Sequence, residues 1–191
     1  MQYRLTRQAE KAIAFARDIA EELQHHYIGT EHLMLGLMRS KEGLASKILM
    51  ENDVTEPKIL KLIDELINDS DVQFAEVADF TPRTRRILDE SSREAARMNQ
   101  ERIGTEHILI ALLKENDCVA LRLLNTLGVG PQKLYADLLS AMGENPALAK
   151  EYFASQKGQD SDSALDAFCM DLTEMSMDGK LDPVIGRADE I

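Results

Sequence analysis

A five-residue string, Ile28-Gly29-Thr30-Glu31-His32, returns unchanged as Ile103-Gly104-Thr105-Glu106-His107, 75 residues further along the chain. The same offset, without a gap, aligns Leu5-Thr6 with Phe80-Thr81, Ala20 with Ala95, Leu37 with Leu112, Ala45 with Ala120, Leu49 with Leu124 and Val54 with Val129. Two unrelated amphipathic segments share an apolar period, but not an identical string held in register. The chain is an internal duplication, and one local fold has to serve both halves.

Each half reads as four helices. Leu5, Ala9, Ala12, Ile13, Ala16, Ile19, Ala20 and Leu23 recur at helical spacing, and Thr6 is a good N-cap residue ahead of them. The second copy adds Pro82, which the first turn of a helix tolerates. Gly29 and Gly104 then break the chain, and Thr30 and Thr105 are expected to cap a short, very apolar helix, Leu33 to Met38 and Ile108 to Leu113. Leu44, Ile48 and Leu49 mark a third helix, and Ile59, Leu62, Ile63, Leu66 and Ile67 a fourth, with matching positions in copy two. Strand signals are absent. The expected fold is all-α: two tandem four-helix repeats, residues 3–69 and 78–143, related by a pseudo-twofold within one domain over 1–143. Residues 144–164 read as a linker, polar and small from Ser155 to Ser163. A new apolar period starts at Leu165 and is cut off at Ile191, as a cut through a longer protein would leave it.

Composition narrows the function classes. Of 191 residues, 22 are Lys or Arg and 34 Asp or Glu, a net charge of −12, which disfavours a nucleic-acid binder. No apolar run approaches the ~18 residues of a membrane span, and the N-terminus has no signal-peptide core. Cys118 and Cys169 lie far apart and suggest thiols in a reducing cytoplasm.

Enzyme motifs are missing. The glycines form neither a G-x-x-x-x-G-K nor a G-x-G-x-x-G loop, and there is no H-E-x-x-H or G-x-S-x-G. His25, His26, Glu31 and His32 together could suit a metal, but Gln100 and Glu101 replace the first two in copy two. His32 and His107 are therefore expected to be structural, and no metal or catalytic residue is assigned. The Gly-Thr-Glu-His string has two readings that the residues leave open. One is helix capping alone. The other adds a ligand that carries an anion for helix amides and a cation for the glutamate.

The duplicated string, Thr81-Pro82-Arg83, and the tail segments Leu165 to Thr173 and Gly179 to Arg187 together resemble the Hsp100 (Clp) ATPases. Residues 1–143 are similar to their double Clp N-terminal repeat, of the ClpC type rather than ClpA or ClpB, and 165–191 to the start of their first AAA+ module. That resemblance implies a substrate- and adaptor-docking domain of a hexameric, ATP-driven unfoldase serving the ClpP protease, with adaptors of the MecA or McsB type. It also implies two equivalent phosphoarginine pockets, built around Thr6 with Glu31 and Thr81 with Glu106. Val184, Ile185 and Gly186 resemble the segment lining the adenine pocket, while the Walker A loop is absent from the chain. No cofactor is expected for this segment; ATP and magnesium would belong to the longer protein. Some positions depart from the family pattern. Leu-Gly-His before the string is replaced by Leu23-Gln24-His25 and Met98-Asn99-Gln100, and Leu-Gly-Val by Asn52-Asp53-Val54 in copy one.

Overall fold

The computed structural model describes residues 3–67 and 79–155. Repeat one contains α1 (Arg7–Glu22), β1 (Tyr27–Ile28), α2 (Thr30–Arg39), α3 (Leu44–Glu51) and α4 (Glu56–Ile67). Repeat two contains β2 (Asp79–Phe80), α5 (Pro82–Arg97), α6 (Thr105–Lys114), α7 (Val119–Thr126) and α8 (Pro131–Ala141). The six helix starts and ends from α1 against α5 to α3 against α7 coincide at the 75-residue offset, as do the starts of α4 and α8. The all-α reading of two four-helix repeats stands.

The cores of both repeats meet on α2 and α6. Every α2 residue from Thr30 to Met38 is buried, and α6 is buried from His107 to Leu113. A helix apolar on all sides has to be wrapped by others, and α1 and α5 supply one face each. Gly36 permits the closest of these approaches, because a Cβ there would overlap the Ala12 carbonyl and the Ala16 amide of α1. Ala9, Ala12, Ala16 and Ala20 form the small-residue stripe that α1 turns inward.

The expectation that strands are absent needs correcting. Tyr27 and Ile28 pair in parallel with Asp79 and Phe80, and Leu5 forms an isolated parallel bridge with Ile103. A two-residue strand is too short for alternation to register in sequence. Under the 75-residue offset, the Leu5–Ile103 bridge is the mate of the Phe80–Ile28 pair. Each repeat therefore lays its lead-in segment beside the duplicated string of the other repeat.

Both threonine N-caps on the long helices form as expected. Thr6 Oγ1 accepts from the Ala9 amide at 3.2 Å and Thr81 Oγ1 from the Thr84 amide at 3.2 Å. The capping role given to Thr30 and Thr105 is corrected. Gly29 and Gly104 are the N-caps, and the threonines, one residue inside, cap helices of the opposite repeat. Thr30 Oγ1 accepts from the Ala120 amide at the start of α7 (3.2 Å), and Thr105 Oγ1 from the Ala45 amide at the start of α3 (3.5 Å). Such caps typically contribute about 1 kcal/mol each, here across the repeat boundary.

The chain divides into two compact units, Met1–Lys150 and Glu151–Ile191. The first continues beyond the expected boundary at 143: residues 147–150 are helical and Ala149 is fully buried. Of the second unit, 151–155 is described and helical. The rest of the expected linker, the AAA+-like segment 165–191, and Val184, Ile185 and Gly186 lie outside the described residues.

Candidate functional site

The start of α2 is shaped by three consecutive residues. Gly29 turns the chain, and its amide donates to His32 Nδ1 at 2.9 Å. The Glu31 carboxylate folds back over Gly29, where any Cβ would overlap it. Its own backbone N–H donates to it, and Thr30 Oγ1 donates at 3.4 Å. Glu31 is only 8% exposed, and burial pushes its carboxyl above the ordinary carboxylate range, against these two hydrogen bonds. Copy two repeats the construction: the Gly104 amide donates to His107 Nδ1 at 2.9 Å, Thr105 Oγ1 to Glu106 Oε2 at 3.3 Å, and Glu106 overhangs Gly104.

His32 and His107 are buried at the starts of α2 and α6, each bound to a backbone amide. With Nδ1 accepting from Gly29, the neutral His32 ring carries its proton on Nε2 and donates it to His25 Nδ1, 2.8 Å away. His25, Glu31 and His32 bring possible ligand atoms within 4.8 Å of one another. A metal on His32 Nε2 would need the proton moved to Nδ1, where the Gly29 N–H already points, so the donor set does not fit one. Burial lowers the His32 pKa to about 3, with a smaller push from His25.

The lead-in pairing decides which residues meet. The Thr81 amide donates to Ile28 O at 3.0 Å, and the Thr6 amide to Ile103 O at 2.9 Å. Thr81 therefore sits beside the string that holds Glu31, and Thr6 beside the one that holds Glu106. This exchanges the pairing expected from sequence, Thr6 with Glu31 and Thr81 with Glu106. A cleft of about 410 Å3 has Gly29, Thr30 and Glu31 on one side and Thr81, Arg83 and Arg86 on the other.

Arg83 and Arg86 were missed from sequence. Copy two keeps three arginines in the first turn and a half of its long helix, Arg83, Arg85 and Arg86, and this cluster was the available signal. Arg83 and Arg86 approach Glu115 at 3.6 and 3.4 Å, and Arg83 also donates to the Asp117 carbonyl. Their side chains stay 43% and 68% exposed, accessible to a solute. The α2 N-terminus is already occupied by Glu31, so an anion entering this cleft meets the α5 N-terminus and the two arginines instead. A cation meets the buried Glu31 carboxylate.

An α-helical double repeat with a bipolar cleft between the Glu31 string and the start of α5 defines a binding module. The Clp repeat (R) N-terminal domain family matches residues 4–127 and 79–166, and the chain belongs to that family. It is 37% identical over 188 residues to the ATP-dependent Clp protease ATP-binding subunit ClpC of Staphylococcus epidermidis, covering 98% of this chain and 23% of the relative. The chain thus spans about a quarter of the length of such relatives. Among solved structures, the N-terminal domain of ClpD from Arabidopsis thaliana matches with a TM-score of 0.62 at 23% identity, over 73% of this chain and 97% of that one. The complex of the ClpV N-domain with VipB peptide matches with a TM-score of 0.56 at 20% identity, over 72% and 88%. These likenesses bear on the fold. Among the described residues, no helix is long and apolar enough to cross a membrane.

Proposed function

We propose that this domain is the substrate- and adaptor-docking module of a ClpC-like, cytoplasmic, ATP-dependent unfoldase, and that it reads phosphoarginine on marked proteins. The observation that carries the reading is the bipolar cleft: a buried carboxylate, Glu31, faces Thr81, Arg83 and Arg86 across the repeat boundary. Phosphoarginine presents a guanidinium and a phosphoryl group on adjacent atoms. The guanidinium suits Glu31, through charge-assisted hydrogen bonds. The phosphoryl group suits the α5 N-terminus, the Thr81 hydroxyl and the arginines. Glu106 and Thr6 would form the related second site. A relative's N-domain, that of ClpV, has been solved with a peptide, which supports peptide docking as the role of this fold. Catalysis is assigned to the longer protein, with ATP and magnesium, and so is delivery to a ClpP-type protease; partners would include adaptors of the MecA or McsB type.

Calorimetric titration of the chain with phosphoarginine, against arginine and inorganic phosphate as controls, tests this reading. Saturable heat with phosphoarginine and none with either control is expected. No heat at millimolar phosphoarginine would contradict it and leave a domain that docks protein adaptors only.

A further inference from the structure

The duplication invites the assumption that the two inter-repeat pairings are interchangeable, and their cationic residues say otherwise. The 75-residue offset carries Arg83 onto Gln8, Arg85 onto Glu10 and Arg86 onto Lys11. The first turn of α5 contains no acid, whereas that of α1 contains Glu10, opposing an anion at the helix N-terminus. Arg83 and Arg86 share one carboxylate, Glu115, which leaves a positive charge uncompensated at the Glu31 cleft. On α1, Gln8 donates to Glu42 Oε2 at 2.8 Å and Lys11 lies 3.9 Å from the same carboxylate, so that pair leaves none. Arg7, in the position of Pro82, is the cation α1 adds. The glutamates and the threonine caps match; the phosphoryl side does not.

We propose that the two inter-repeat sites are unequal, with the Glu31–Thr81 cleft taking the phosphoryl-guanidinium group at concentrations that leave the Glu106–Thr6 pairing empty. This rests on the phosphoarginine reading above. It assigns Arg83 and Arg86 as the residues that set the order, and it makes the chain a one-site reader at low mark density. Gln8 is the position at which the second site is weakened.

Titrations of the chain and its Glu31→Gln, Glu106→Gln and Gln8→Arg variants with phosphoarginine test this, with helix content and thermal unfolding as controls of folding. One strong site per chain is expected, weakened roughly tenfold or more by Glu31→Gln. Glu106→Gln should leave it within about twofold. Gln8→Arg should bring a second site into the measured range, which keeps the proposal testable even if a glutamate variant fails to fold. Two equal sites in the unaltered chain, or equal losses from both glutamate variants, would overturn the inequality and leave the phosphoarginine reading intact. Absence of binding by every protein would overturn both.

Discussion

At the scale of single residues, the two histidines tie the site to pH. The Gly29 amide fixes His32 in the Nε2-protonated neutral form, and burial holds its pKa near 3 against an ordinary 6.5. Below pH 6.5 the unfolded chain therefore takes up a proton that the folded chain refuses. Stability is complete above that pH and falls as acidity rises toward pH 3, by up to about 1.4 kcal/mol per pH unit for one such group. Burial lowers the His107 pKa as well, so both copies act in the same direction. Urea unfolding between pH 7 and 4 should show this slope, and His32→Asn, which keeps an acceptor for Gly29, should make it shallower. An unchanged slope in the variant would contradict the buried neutral ring. The copies differ in what lies behind the ring: His32 Nε2 has His25, whereas His107 Nε2, with Gln100 in the place of His25, has no hydrogen-bond partner.

At the scale of elements, the departures from the family pattern turn out to preserve the backbone. Gln24 and Asn99 close α1 and α5 with φ of 58° and 54°, the left-handed conformation that glycine would adopt without cost. Asp53 does the same at 59° where copy two has Gly128 at 74°. These turns are kept by geometry and not by residue type. Gln24→Gly should raise stability by about 1 kcal/mol in thermal or urea unfolding, since a left-handed non-glycine residue costs roughly that much. Unchanged or lower stability would contradict the strain assigned to Gln24. The helices themselves were legible in sequence because their apolar period is long and repeated. The two-residue strands were not, since pairing between residues 28 and 80, or 5 and 103, is a tertiary fact with no local pattern. The capping by Thr30 failed for a related reason. A threonine after glycine looks the same in sequence whether its hydroxyl serves its own helix or the start of α7.

At the scale of the whole molecule, the repeats are interleaved and not merely adjacent. Lead-in strands and threonine caps cross the boundary in both directions, and the cleft joins the Glu31 string to the start of α5. Sequence revealed the duplication and singled out four candidate positions, because a repeated glutamate beside a repeated helix start stands out against drifting neighbours. It could not reveal which threonine meets which glutamate, since an offset aligns equivalent positions and says nothing of contacts between copies. The arginines of α5 were hidden for the same reason: they become part of a site only when the second repeat is laid against the first. The central claim is that one ligand bridges the two repeats, with its cation on Glu31 and its anion at the start of α5. Amide chemical-shift titration with phosphoarginine measures this directly. The amides of Gly29 to His32 and of Thr81 to Arg86 should move together along one saturation curve. Shifts confined to a single repeat, or none in either segment, would contradict it.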